Sequence, residues 1–360
     1  MEDAEITLIL QKSLSGKVLT TAEIEALLSI KEQSSLEQLF EAAQTVKNNN
    51  FNNKVFLYGF VYFSTHCRNN CSFCFYRKSN TDSVRYRKSD EEILELSTSL
   101  EDSGVHAVDL TMGEDPIIHN DTHYQKLIDI VTMVNDAVKV PLMVSPGAIP
   151  QQLFPTLKEA GADWFACYQE THNIELFQRL RPAQDYEFRL NQKKWAREND
   201  ILTEEGIMVG VGENVHDRAH SIEVMRSLGV DQVRAMSFVP QNNTPMFSNG
   251  PSPFIDELKA IAVMRLVHPQ KLIPASLDVE GVAGLKTRLA AGANVITSII
   301  PPCKGLAGVA QHELDIDDGG RSVEQIEAIL DEINIKKADK NDYINLVNER
   351  KKQPLAEGSL

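Results

Sequence analysis

The sequence predicts an α/β fold, a closed parallel (β/α)8 TIM-type barrel with an N-terminal helical extension. Eight short apolar runs recur between residues 55 and 300, separated by stretches with helical amphipathic spacing. Apolar strands alternating with helices imply parallel pairing, because a parallel connection needs a crossover and buries both faces of the sheet. The alternative, an open doubly wound sheet, should carry a glycine-rich phosphate fingerprint after its first strand. None is there: GVGENV at 210–215 has two glycines, lacks the third and follows the fifth strand. Eight β/α units in about 250 residues suit closure into a barrel.

Residues 1–50 read as a helical cap. Thr20 with Glu23, and Ser34 with Glu37, match capping boxes, each opening a segment with leucines at helical spacing, and NNNFNN at 48–53 ends the pattern. The strand candidates then follow in order: VFLYGFVYF (55–63), HAVDLTM (106–112), PLMVS (141–145), DWFACY (163–168), GIMVGV (206–211), QVRAMSFV (232–239), KLIPAS (271–276) and NVITSII (294–300). Between the first two, Ser89 and Glu92 form another capping box and Gly104 provides a stop. The barrel is assigned to residues 51–335, and the lysine-rich segment 336–360 reads as a peripheral tail.

Composition bounds the function. Of 360 residues, 42% are hydrophobic and 24% charged, as in a soluble globular protein, and no apolar run approaches the ~20 residues of a membrane span. The acidic start MEDAEITL lacks a secretion signal's basic region, which makes the cytoplasm the expected location. A net charge of −15 opposes a nucleic-acid partner held through its phosphates. Five cysteines without a paired framework point to metal or catalytic thiols.

Three of those cysteines, Cys67, Cys71 and Cys74, fall within CRNNCSFC, directly after the first strand. Barrel enzymes place their chemistry at that end. A structural zinc ion wants four closed ligands. His66 is badly placed to be the fourth, because neighbours on an extended chain point opposite ways. Three thiolates suit an iron–sulfur cubane with one iron left open to an exogenous ligand. Cys167 and Cys303 read as free thiols.

Polar residues at the other strand ends should converge on this loop. Asp109 sits inside an apolar strand, so it needs donors or a cation, from a substrate ammonium or from a structural Arg or Lys. Arg234 is likewise a charge within an apolar run. Ser276 and Asp278, two apart on an extended segment, project to one side. One arginine and two aspartates are complementary to a diamino acid, the guanidinium taking its carboxylate and the aspartates its two ammonium groups.

CRNNCSFC has the CxxxCxxC spacing of the radical S-adenosylmethionine superfamily, including the aromatic Phe73 before the last cysteine. The chain resembles that superfamily. The resemblance implies one [4Fe–4S] cluster on Cys67, Cys71 and Cys74, with S-adenosylmethionine on the open iron and a 5′-deoxyadenosyl radical as the product of its cleavage. It places Glu114 of TMGED near the cofactor's amino group and Glu170 of YQET at its ribose. Arg189 is assigned its carboxylate, a role for which Arg179 and Arg181 compete, and GIMVGVGE the adenine. Over residues 50–310, YFSTHCRNNCSFCFY, VDLTMGEDP, YQET, VRAMSFVPQNNTP and LIPASLDVEG also resemble the methylornithine synthase family of the pyrrolysine pathway. That resemblance implies isomerisation of lysine to 3-methylornithine by hydrogen abstraction, fragmentation and recombination. Asp109, Arg234, Ser276 and Asp278 would then hold the amino acid, and Ser145, Tyr168, Glu170 and Arg189 would line the cofactor side. A one-electron reductant such as flavodoxin or ferredoxin is the implied partner. Enzymes like biotin synthase or the hydrogenase maturase share the barrel and the cysteine motif, and a non-catalytic iron–sulfur or zinc protein is the alternative of another class.

Overall fold

The computed structural model describes residues 3–120, 124–300 and 321–353; Cys303 and residues 354–360 of the expected tail lie outside them. Eight parallel strands form the expected barrel: β1 (Lys54–Ser64), β2 (Ala107–Met112), β3 (Leu142–Ser145), β4 (Ala162–Ala166), β5 (Leu202–Val209), β6 (Gln232–Ser237), β7 (Pro274–Ser276) and β8 (Val295–Ile299). Their order runs β6-β5-β4-β3-β2-β1-β8-β7. A single parallel bridge, Gln232 to Leu272, meets the open side, so the barrel is nearly closed.

All eight sequence-read strands are present, and β5 departs most from its expected limits. It starts at Leu202, taking in Thr203, Glu204 and Glu205, whose polarity looked like a turn. Both glutamates are buried, and each has a cation: Arg234 for Glu204 and Lys193 for Glu205. Their opposite directions follow from the two-residue strand period, Glu204 meeting Arg234 of β6 and Glu205 meeting Lys193 on the helix Tyr186–Arg197.

Three helices precede the barrel, α1 (Asp3–Leu14), α2 (Thr21–Leu28) and α3 (Gln33–Phe51). The Thr20–Glu23 capping box forms as read. Ser34–Glu37 does not, because α3 begins two residues earlier with Glu32 as its N-cap and no side-chain cap bond. Leu27, Leu39 and Ala43 from these helices are fully buried in the same apolar core as the barrel's outer face. The Ser89–Glu92 box and Gly104, at φ 94°, bound α4 (Asp90–Ser103) as expected.

The segment from residue 336, expected to be peripheral, is anchored. Lys336–Lys337 pairs in parallel with the start of β1, and the helix Lys340–Lys351 inserts Tyr343, fully buried, under the barrel. The Tyr343 and Tyr58 hydroxyls stand 2.6 Å apart, and Tyr58 also donates to Gln232 Oε1 at 3.1 Å. His106 accepts from Leu57 N through Nδ1 (2.8 Å), so its Nε2–H donates to Ala338 O (2.8 Å). With Trp164, Met143 and Leu202 these side chains pack the lower barrel, and a cavity opens toward the C-terminal ends of the strands.

Candidate active site

That space is a cavity of about 220 Å³. The three clustered cysteines and all five residues expected on the cofactor side line it, as do Asp109, Arg234 and Asp278. Ser276 does not reach it and instead donates to Asp278 Oδ2 at 3.2 Å.

The cysteine loop is held at several points. Ser72 donates from N and Oγ to the carbonyls of Leu180 (2.7 Å) and Arg179 (2.6 Å), which belong to the last turn of the helix Ile174–Leu180 and lack intrahelical partners. The Arg85 guanidinium donates to the carbonyls of Thr65, Tyr76 and Arg77 at 2.5, 2.9 and 2.7 Å, closing the far end of the loop. Gly113 lets the loop approach β2, since a Cβ there would fall 2.4 Å from His66 O and 3.1 Å from Cys67 Cβ.

Burial pushes the Cys67 thiol up to about 11, with neighbouring Cys71 adding to the rise. Burial, then Cys71 and Cys67, push Cys74 up as well. Three thiols facing one cavity become thiolates when they bind metal, and thiolates are the usual ligands of iron–sulfur clusters. Among the described residues no group of three His, Cys, Asp or Glu side chains makes a ready site for one ion. The donor set fits an iron–sulfur cluster held by Cys67, Cys71 and Cys74.

On the side nearest the loop, Glu114 accepts from Arg68 Nε (3.0 Å), Arg189 Nη1 (3.4 Å) and Ala148 N (3.2 Å). Burial works to raise its carboxyl, but Arg189 and the other donors hold it below the usual range. Arg189 also donates to Tyr168 O (2.7 Å) and Gln184 Oε1 (3.4 Å). Glu170 sits at φ 70°, a conformation that costs a non-glycine residue on the order of 1 kcal/mol or more. It is held there because its N donates to Gly206 O (3.1 Å) and its O accepts from Met208 N (3.0 Å). Burial raises its carboxyl despite Arg181, whose Nη2 lies 2.6 Å from Oε1. Of the competing arginines, Arg181 is engaged by Glu170 and the Cys71 sulfur, and Arg179 is exposed and off the cavity. Arg189 lines the cavity and is itself engaged by Tyr168, Glu114 and Gln184.

Deeper in the barrel, Arg234 donates to Glu204 Oε1 (2.7 Å) and Thr297 Oγ1 (3.2 Å). Tyr168 donates to Glu204 Oε2 (2.9 Å), and its ring lies 5.6 Å from the Arg234 guanidinium. Ser145 and Thr111 both donate to Asp109 Oδ1 at 2.9 Å. Burial pushes Asp109 up to about 7, because two hydroxyls are a weak substitute for water or a cation. Asp278 accepts from Ser298 (2.7 Å), Ser276 (3.2 Å) and Arg321 Nη1 (3.4 Å). Ser145 and Tyr168, expected at the cofactor, thus contact the groups expected to hold the amino acid. Asp278, read as an open carboxylate, already faces an arginine.

Sequence reasoning missed Glu204, Arg321 and Gln184. Glu204 had a signal, being four residues before the cavity-lining Met208 on one strand face. Arg321 and Gln184 lie outside the strands and had none.

A radical S-adenosylmethionine superfamily model matches residues 61–225. A 3-methylornithine synthase of Methanosarcina barkeri is 39% identical over 92% of this chain and 94% of its own length. The [FeFe] hydrogenase maturase subunit HydE of Thermotoga maritima is 31% identical over 80% of this chain and 82% of its own. The crystal structure of a methylornithine synthase superposes with a TM-score of 0.89 at 38% identity, covering 94% of this chain and 99% of that one. A loop of three thiols at the mouth of a parallel barrel, in a sequence this similar, marks a radical S-adenosylmethionine enzyme that works with a [4Fe–4S] cluster and S-adenosylmethionine. The chain belongs to that superfamily and, within it, to the 3-methylornithine synthase family.

Proposed function

We propose that this enzyme isomerises lysine to 3-methylornithine, the reaction that opens pyrrolysine biosynthesis. Asp109 carries the reading: a cavity carboxylate with two hydroxyl donors and, among the described residues, no ion pair calls for a cationic ligand. Lysine has two ammonium groups, and Arg234, fixed by Glu204, offers a guanidinium for its carboxylate. Asp278 completes the amino-acid side, with Arg321 and Ser276, the latter off the cavity, holding its carboxylate in place. On the cofactor side Arg189 takes the carboxylate of S-adenosylmethionine, Glu114 stands by its amino group and Glu170 by the ribose, with Ser145 and Tyr168 between the two ligands. When bound, the cluster and S-adenosylmethionine supply a 5′-deoxyadenosyl radical that removes a hydrogen from the side chain. The substrate then fragments and recombines as a branched isomer of unchanged mass, so the cavity must hold both pieces. The filled lower barrel leaves them no exit on that side. Electrons come one at a time from a donor such as flavodoxin or ferredoxin, in the cytoplasm.

Cofactor cleavage with chemically chosen ligands tests the substrate. Lysine should stimulate release of 5′-deoxyadenosine, and norleucine, which lacks the side-chain ammonium, should not. Equal stimulation by norleucine would remove from recognition the aspartate that meets the side-chain ammonium, leaving only the contact to the α-ammonium.

A further inference from the structure

We propose that Arg181 and Gln184 form a two-donor clamp on the Cys71 sulfur that sets the cluster's reduction potential. Arg181 Nη1 lies 3.4 Å and Gln184 Nε2 3.1 Å from Cys71 Sγ. Cys67, by comparison, takes a backbone N–H from Asn69 at 3.5 Å. Both donors are oriented by other contacts. Arg181 is buried, its Nη2 is fixed on Glu170 Oε1 and its guanidinium carbon stands 5.2 Å from the Phe73 ring centroid, which leaves Nη1 for the sulfur. Gln184 Oε1 accepts from Arg189 Nη1 at 3.4 Å, so its amide turns Nε2 toward Cys71.

The cysteine loop brings the sulfur to this clamp. Ser72, next to Cys71, is bound to the carbonyls of Arg179 and Leu180, and Arg181 is the next residue, capping that helix with its N–H on Phe177 O. Fixing the loop to the helix end therefore fixes the sulfur against the guanidinium. Reduction adds negative charge shared by the cysteine sulfurs, and donors on those sulfurs stabilise the reduced form. A buried cation does so more strongly than an exposed one, because little water screens it. Arg181 should contribute more than the neutral Gln184.

The test uses anaerobically reconstituted full-length protein without lysine or S-adenosylmethionine, so failure of the lysine assignment would leave it intact. Iron and sulfide are counted, and the midpoint potential is measured by electron paramagnetic resonance during a redox titration. At the wild-type midpoint, Arg181→Met should show a reduced-to-oxidised ratio about tenfold lower, a shift of about 59 mV to more negative potential for one electron. Gln184→Leu should shift the same way by less, and Arg181→Lys should recover part of the loss. Wild-type midpoints in Arg181→Met and Gln184→Leu at full iron content would overturn the proposal, as would shifts to more positive potential. If Arg181→Met fails to hold iron, Gln184→Leu decides: a negative shift supports the clamp and an unchanged midpoint overturns it.

Discussion

Asp109 titrates where the enzyme works. Burial pushes it up to about 7 from 3.8, so much of the population is neutral at physiological pH. A substrate ammonium needs the ionised form, and kcat/KM for lysine should rise with pH through about 7 and level off above it. Because the folded value is the raised one, ionising this group costs stability between its unfolded and folded values, and a bound ammonium offsets that cost. Lysine should therefore raise the melting temperature more at pH 8 than at pH 6. Asp109→Asn should flatten the pH profile and lower kcat/KM by about ten- to a hundredfold, the range for a lost charged hydrogen bond. At Gly113, substitution by Ala would press a Cβ to 2.4 Å from the His66 carbonyl, which is backbone and cannot rotate away. Gly113→Ala should lower iron content after reconstitution and reduce stability by about 1–3 kcal/mol, measurable by denaturant titration.

At the scale of elements, β5 and the last helix show what pattern reading misses. Strand patterning found eight apolar runs because parallel strands are apolar on both faces. It clipped the start of β5, since Glu204 and Glu205 look like turn residues until Arg234 and Lys193, far away in sequence, neutralise them. Glu205→Gln leaves Lys193 buried without its anion and should cost about 3–5 kcal/mol. The helix Lys340–Lys351 reads as polar because much of it contacts water, but Tyr343 and Val347 pack into the barrel floor. Tyr343→Ala should destabilise by about 3–5 kcal/mol, seen as a lower thermal midpoint. The cysteine spacing and the polar strand ends were legible because each lies beside a strand, which fixes its direction. Arg181, Gln184 and Arg321 depend on loops whose course no local pattern encodes.

For the whole molecule, a packed lower barrel leaves the cysteine loop and the buried charged side chains facing one cavity at the C-terminal ends of the strands. No helix among the described residues is long and apolar enough to cross a membrane. With a net charge of −15, the surface suits a small-molecule enzyme better than a binder of nucleic acid. The central claim is the isomerisation. The direct measurement is anaerobic incubation of reconstituted protein with reductant, S-adenosylmethionine and uniformly 13C-labelled lysine, followed by chromatography, mass spectrometry and 13C NMR. A product of unchanged mass, shifted retention and a new methyl branch is expected. Lysine recovered unchanged while 5′-deoxyadenosine accumulates would contradict it.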